Sequence, residues 1–248
     1  MPIIYLSPST QEYNPYITGH GSEEYFMNLL ADYLEPYLIA SGIAFVRNTT
    51  DMTAASSIRA SNEGNFDLHL ALHSNASPEY LSGQLQGTDI YYYPRSEQGR
   101  IAAEIFAQNF RLIYPNPALV NTVPTTSIGE VARTIAPAVL IEVAYHDNWE
   151  DALWIENNLP LIASNIAYSL TQFFGILYVT PIGPLTGTVT TAGSNLNIRS
   201  YPSFDASVLT TLPNGSLVTV LGSYEDWYVV NFQDIRGFAV KQYISIPI

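Results

Sequence analysis

Apolar residues in the first three quarters of the chain follow two alternating rhythms. Short apolar runs read as strands, and stretches with apolar residues three or four apart read as helices. Ile3-Ile4-Tyr5-Leu6 is a strand-like run stopped by Ser7-Pro8-Ser9. Ser22 followed by Glu23 and Glu24 predicts a helix start, because a Ser cap and early acids complement the exposed N–H groups. Phe26, Leu29, Leu30, Tyr33, Leu34 and Leu38 then recur at helical spacing, up to a stop at Gly42. Ile43-Ala44-Phe45-Val46 predicts a second strand. A helix over about 55–63 leads into a strand at 67–73. A strand at 87–94, a helix at 97–113, a buried strand at 138–145 and a helix at 148–175 complete the series. Strands alternating with helices predict an α/β domain with a mostly parallel sheet and helices on both faces.

The rhythm changes near Thr180. Two prolines and two glycines between Thr180 and Gly187 predict a short linker over 180–186. After it come only short alternating runs: Leu196–Arg199, Leu217–Leu221, Trp227–Phe232 and Gly237–Val240. Turn residues such as Pro213-Asn214-Gly215-Ser216 separate them, which is the pattern of a small all-β barrel. The expected boundaries are therefore an α/β domain at 1–179 and a barrel at 187–248.

Composition narrows the function. The net charge of −13 argues against nucleic acid as a partner, since phosphates demand Lys/Arg patches, and against anionic membranes. Eighteen acidic and six basic residues precede residue 180, a balance of −12 that leaves only −1 for the rest. The asymmetry supports two domains with different surfaces. No apolar run approaches the roughly 18–20 residues of a membrane span. Cysteine is absent, so a transition-metal site must draw on Asp, Glu and the four histidines, His20, His69, His73 and His146.

The strand Leu68-His69-Leu70-Ala71-Leu72-His73 ends in a histidine followed by Ser74 and Asn75. The C-terminal end of such a strand is where open α/β sheets place their chemistry, so His73 stands at the expected site. Glu142 lies inside the apolar strand Ala138–Tyr145. A carboxylate there is costly unless paired or metal-linked, which marks it as functional. His69 shares a strand face with His73, but four residues of strand span about 13 Å, so it reads as a hydrogen-bonded core histidine.

Several segments together resemble the zinc-dependent N-acetylmuramoyl-L-alanine amidases, which cut between the glycan and the peptide stem of the bacterial cell wall. Glu24-Tyr25-Phe26-Met27-Asn28-Leu29 is similar to the family's "E-x-x-x-N-L". His73-Ser74-Asn75-Ala76 resembles its second histidine motif, and Pro137–Tyr145 resembles "P-A-V-L-V-E-x-G-F". Arg59-Ala60-Ser61-Asn62 and Gly87 add to the match. The resemblance implies Zn²⁺ held by Glu24 and His73, Glu142 as catalytic acid/base, and Asn75 as a substrate contact. The family's "D-P-G-H-G" aligns with Ser7-Pro8-Ser9-Thr10-Gln11, which puts Thr10 where a histidine ligand is expected. The third ligand then falls to His20, four residues before Glu24, with His146 as the alternative.

The tail resembles a bacterial SH3-like domain through Asn195–Ser203, Val208–Gly215, Trp227-Tyr228-Val229 and Gly237-Phe238-Ala239. Such a domain implies peptidoglycan binding. Trp227 and Phe238 fit either a peptide groove or a core. The first residues carry no basic n-region, so the expectation is synthesis without an export signal and action at the wall after phage lysis or in a sporulation mother cell. Thr10 leaves a rival reading, a catalytically impaired wall-binding protein derived from such an amidase. A different metallohydrolase acting on small peptides is a second rival.

Overall fold

The computed structural model describes residues 1–247; Ile248, the last residue of the expected barrel, lies outside the described residues. The chain forms two compact units. The first comprises Met1–Glu35 and Ile43–Ile176, and the second comprises Pro36–Gly42 with the chain from Leu177 onward.

The first unit holds a six-stranded sheet. Its strands are β1 (Ile3–Pro8), β2 (Ala44–Arg47), β3 (Leu68–Asn75), β4 (Thr88–Tyr92), β5 (Val120–Pro124) and β6 (Ala138–Tyr145), in the order β2-β1-β3-β6-β4-β5. All neighbours are parallel except β4 and β6. The helices are α1 (Glu23–Ser41), α2 (Ala54–Glu63), α3 (Glu97–Phe110), α4 (Gly129–Ala132) and α5 (Trp149–Phe174). This is the expected α/β class, with helices on both faces of the sheet. The four-residue α4 and the edge strand β5 carry no periodicity long enough to be read from sequence.

Register decides what meets at the sheet's edge. His73 on β3 is paired with Glu142 on β6, and Glu142 with Asp89 on β4. Directly paired residues project to the same face, so these three side chains form one row. Because β4 runs against β6, its first residues share an edge with the last residues of β6. Gly87 makes that entry possible. Its φ is +120°, and an added Cβ would meet the Leu119 carbonyl oxygen at 2.4 Å, so only glycine fits. On the face that carries His73, Ala71 and Leu140 pack with Val131 of α4, which brings Glu130 over the sheet.

The second unit holds seven antiparallel strands, β7 (Thr180–Val189), β8 (Leu196–Arg199), β9 (Val208–Leu212), β10 (Leu217–Tyr224), β11 (Trp227–Phe232), β12 (Ile235–Val240) and β13 (Ile244–Ser245). Their order is β13-β7-β10-β11-β12-β8-β9, the expected small β-domain. The expected linker at 180–186 is instead the first part of β7, where Thr180, Pro181, Leu185 and Thr186 pair with β10 across a shift in register. Its prolines do not break the strand. Within this unit Ala40 packs against Val179, Trp227, Val229 and Phe238. Trp227 and Phe238 are therefore core residues, and the exposed aromatics are Tyr201, Phe204 and Tyr243.

Candidate active site

His73 is the centre of the site. Its Nδ1 lies 2.8 Å from Glu23 Oε1 and its Nε2 lies 3.1 Å from Glu130 Oε2. Both partners are buried carboxylates, 1% and 5% exposed, and a histidine that serves two acceptors at once must carry both protons. Burial opposes that charge, but hydrogen bonds to Glu130 and Glu23, with the charges of Glu130 and Glu142, raise the His73 pKa well above the ordinary value. Burial pushes the carboxyl groups of Glu23 and Glu130 upward, and their histidine partners outweigh it and hold both below the ordinary range.

Glu130 does more than face His73. Its Oε1 lies 3.3 Å from His69 Nε2 and accepts the Ser7 hydroxyl at 2.5 Å. His69 is a buried core residue, stacked on Tyr5 and bonded to Ser61. Although His69 and His73 are four strand residues apart, their rings converge on one carboxylate.

The carboxylate expected at His73 was Glu24; the structure places Glu23 there. Helix geometry gives the reason. Met27, Leu30, Leu34 and Leu38 are fully buried, and position 23 continues that stripe one turn back, whereas position 24 is rotated about 100° away. Glu24 is only partly buried, and Asn28 bonds its backbone carbonyl. Asn28 also donates to Ser9 O at 3.0 Å, which ties the start of α1 to the end of β1.

The other expected residues do not join His73. His20 is exposed and pairs with Glu156 of α5 at 2.7 Å, where Thr18 shares the same carboxylate. His146 is buried, bonds Ser74 through Nδ1 and stacks on Tyr16, so it holds the loop after β1 in place. Asn75 Oδ1 accepts the N–H of Ala76, a local turn contact. Thr10 and Gln11 line a cavity of about 290 Å³ beside His73, with Ser7, Asn48, Ser57 and Glu130.

Glu142 remains. Its Oε2 is buried and has no hydrogen-bond partner. Burial raises its pKa to about 7; His73 opposes the shift, and Glu23, Asp89 and Glu130 add to it. Such a carboxyl exchanges protons near neutrality, the property a general acid/base requires.

A hydrolytic zinc ion needs three protein ligands with free lone pairs. Here both His73 nitrogens face carboxylates, and among the described residues no group of three His, Asp or Glu side chains is disposed to hold a metal. The residues present do not fit zinc.

Residues 8–172 match the N-acetylmuramoyl-L-alanine amidase family. The chain belongs to that family. Residues 194–245 match the bacterial SH3 domain. No curated protein matches the sequence. Among solved structures, the catalytic domain of the amidase CwlV from Bacillus (Paenibacillus) polymyxa var. colistinus is 18% identical with a TM-score of 0.61, over 71% of this chain and 100% of that one. An amidase from Clostridium difficile 630 is 15% identical with a TM-score of 0.63, over 70% and 97%. AmiC2 of Nostoc punctiforme is 14% identical with a TM-score of 0.60, over 70% and 97%. At these identities the likeness is one of fold. The matched range takes in the six-stranded sheet from the end of β1 onward, with Glu23 and Glu130 closing on His73.

Proposed function

We propose that this chain acts on bacterial peptidoglycan at the amide joining N-acetylmuramic acid to L-alanine, with Glu142 as the group that moves the proton. The observation that carries this reading is Glu142 itself. It is a carboxyl with a partnerless buried oxygen and a pKa of about 7, in register with His73 at the edge where open α/β sheets place their chemistry. Ionised, Glu142 takes a proton from the attacking water, and protonated it returns that proton to the departing amine of L-alanine. General acid–base help of this kind contributes about 10²–10⁴-fold. His73, held protonated between Glu23 and Glu130, places a positive charge beside the reacting carbonyl. The SH3 domain raises the local concentration of the catalytic unit at the wall.

One observation favours a second reading, a wall-binding protein that does not cut. Both His73 nitrogens are committed to Glu23 and Glu130, so neither N–H is free to bond a developing oxyanion. Digestion of purified peptidoglycan, scoring new L-alanine amines and new reducing ends, separates the two. New amines without reducing ends support cleavage. Co-sedimentation with the wall and no new amines supports binding alone.

A further inference from the structure

Gln11 occupies a position that the motif alignment does not assign to it. Its Nε2 lies 3.4 Å from Glu23 Oε1 and 3.4 Å from His73 Nδ1. Its Oε1 accepts from Asn14 Nδ2 and from the Tyr13 hydroxyl, each at 3.2 Å. Asn14 Nδ2 also donates to Glu23 Oε2 at 2.7 Å, which makes that atom a nitrogen and the Gln11 atom facing it an oxygen. The Gln11 amide therefore turns its N–H₂ group, a donor without a lone pair to offer, toward the Glu23–His73 pair.

We infer that the Gln11 carboxamide closes the third corner of the Glu23–His73 pair, so that the pair is a hydrogen-bonded unit that does not retain a zinc ion. A carboxylate and an imidazole 2.8 Å apart supply two corners of a metal site. A zinc hydrolase takes three from the protein, and here an amide N–H₂ fills the remaining corner. On the far side His73 Nε2 meets Glu130, so turning the ring over does not free a nitrogen. Asn14 and Tyr13 fix the amide's orientation, which makes the closure part of the fold of the loop after β1. This inference is independent of the cleavage reading, since its readout is metal content and not amine release.

The test is zinc content of the full chain after equilibrium dialysis against micromolar zinc, measured by elemental analysis. The expected result is below about 0.1 zinc per chain, because an intact three-ligand site fills to about one. One zinc per chain in the parent protein overturns the inference. Gln11→His supplies the missing donor at the corner and is expected to raise the content to about one. The far-ultraviolet circular dichroism of each variant reports its folding. A folded Gln11→His chain that still takes up no zinc overturns the assignment to Gln11. So does a gain in Thr10→His without a gain in Gln11→His.

Discussion

His73 and Glu142 are direct partners on adjacent parallel strands, β3 and β6. That register puts a protonated histidine and a proton-exchanging carboxyl side by side at one end of the sheet. Their surroundings differ in kind. His73 is bonded on both sides, while Glu142 keeps a buried oxygen with no partner. The first is fixed and the second is free to transfer a proton.

If Glu142 acts as the base, amine release from peptidoglycan depends on its ionised form. The rate should fall about tenfold for each pH unit below about 7 and level off above it. A rate independent of pH between 5 and 8 contradicts that role.

The helix register predicts that two neighbouring acids behave differently. Glu23→Gln removes the Nδ1 partner of His73, and the His73 pKa, followed by NMR, should fall by more than about one pH unit. Glu24→Gln should leave it where it is. The reverse pattern restores the alignment-based assignment.

Glu130→Ala removes the shared partner of His69, His73 and Ser7 from a buried position. Breaking a buried charge pair on one side costs about 3–5 kcal/mol, to be read from urea denaturation at pH 7. A loss under about 1 kcal/mol contradicts the bridging role.

Glu142 also shapes stability. Its pKa rises from 4.5 to about 7 on folding, so between those values the native state holds a proton that the unfolded chain has released. Stability from this group therefore falls as pH rises from about 4.5 to 7. The raised pKa of His73 acts in the same direction, its contribution being full below 6.5 and lost as pH rises through the folded value. Relative to the parent, Glu142→Gln should gain up to about 3 kcal/mol in moving from pH 5 to pH 8. Parallel denaturation curves at the two pH values check this.

Long periodic stretches made most of the fold legible in the sequence. Ala138–Tyr145 read as a buried strand with a functional carboxylate, and β3 read as ending at His73. The barrel's alternating runs were equally clear. The linker was misread because Pro and Gly also occur within β7. Glu130 was missed because α4 is four residues long, too short for any helical signal; a lone acid between Ile128, Gly129 and Val131 was the available hint. Glu23 and Glu24 look alike as early helix acids, and only the stripe of Met27, Leu30, Leu34 and Leu38 separates them. Gln11 was hidden because the motif alignment pointed to Thr10, one residue away.

The central claim, that Glu142 moves the proton in cleavage of the muramoyl–alanine amide, is tested most directly by amine release from purified peptidoglycan with the parent chain and Glu142→Gln side by side. The account predicts release by the parent and a loss of about 10²-fold or more in a variant that remains folded. Equal release by the two proteins, or none by the parent while it still binds the wall, would contradict it.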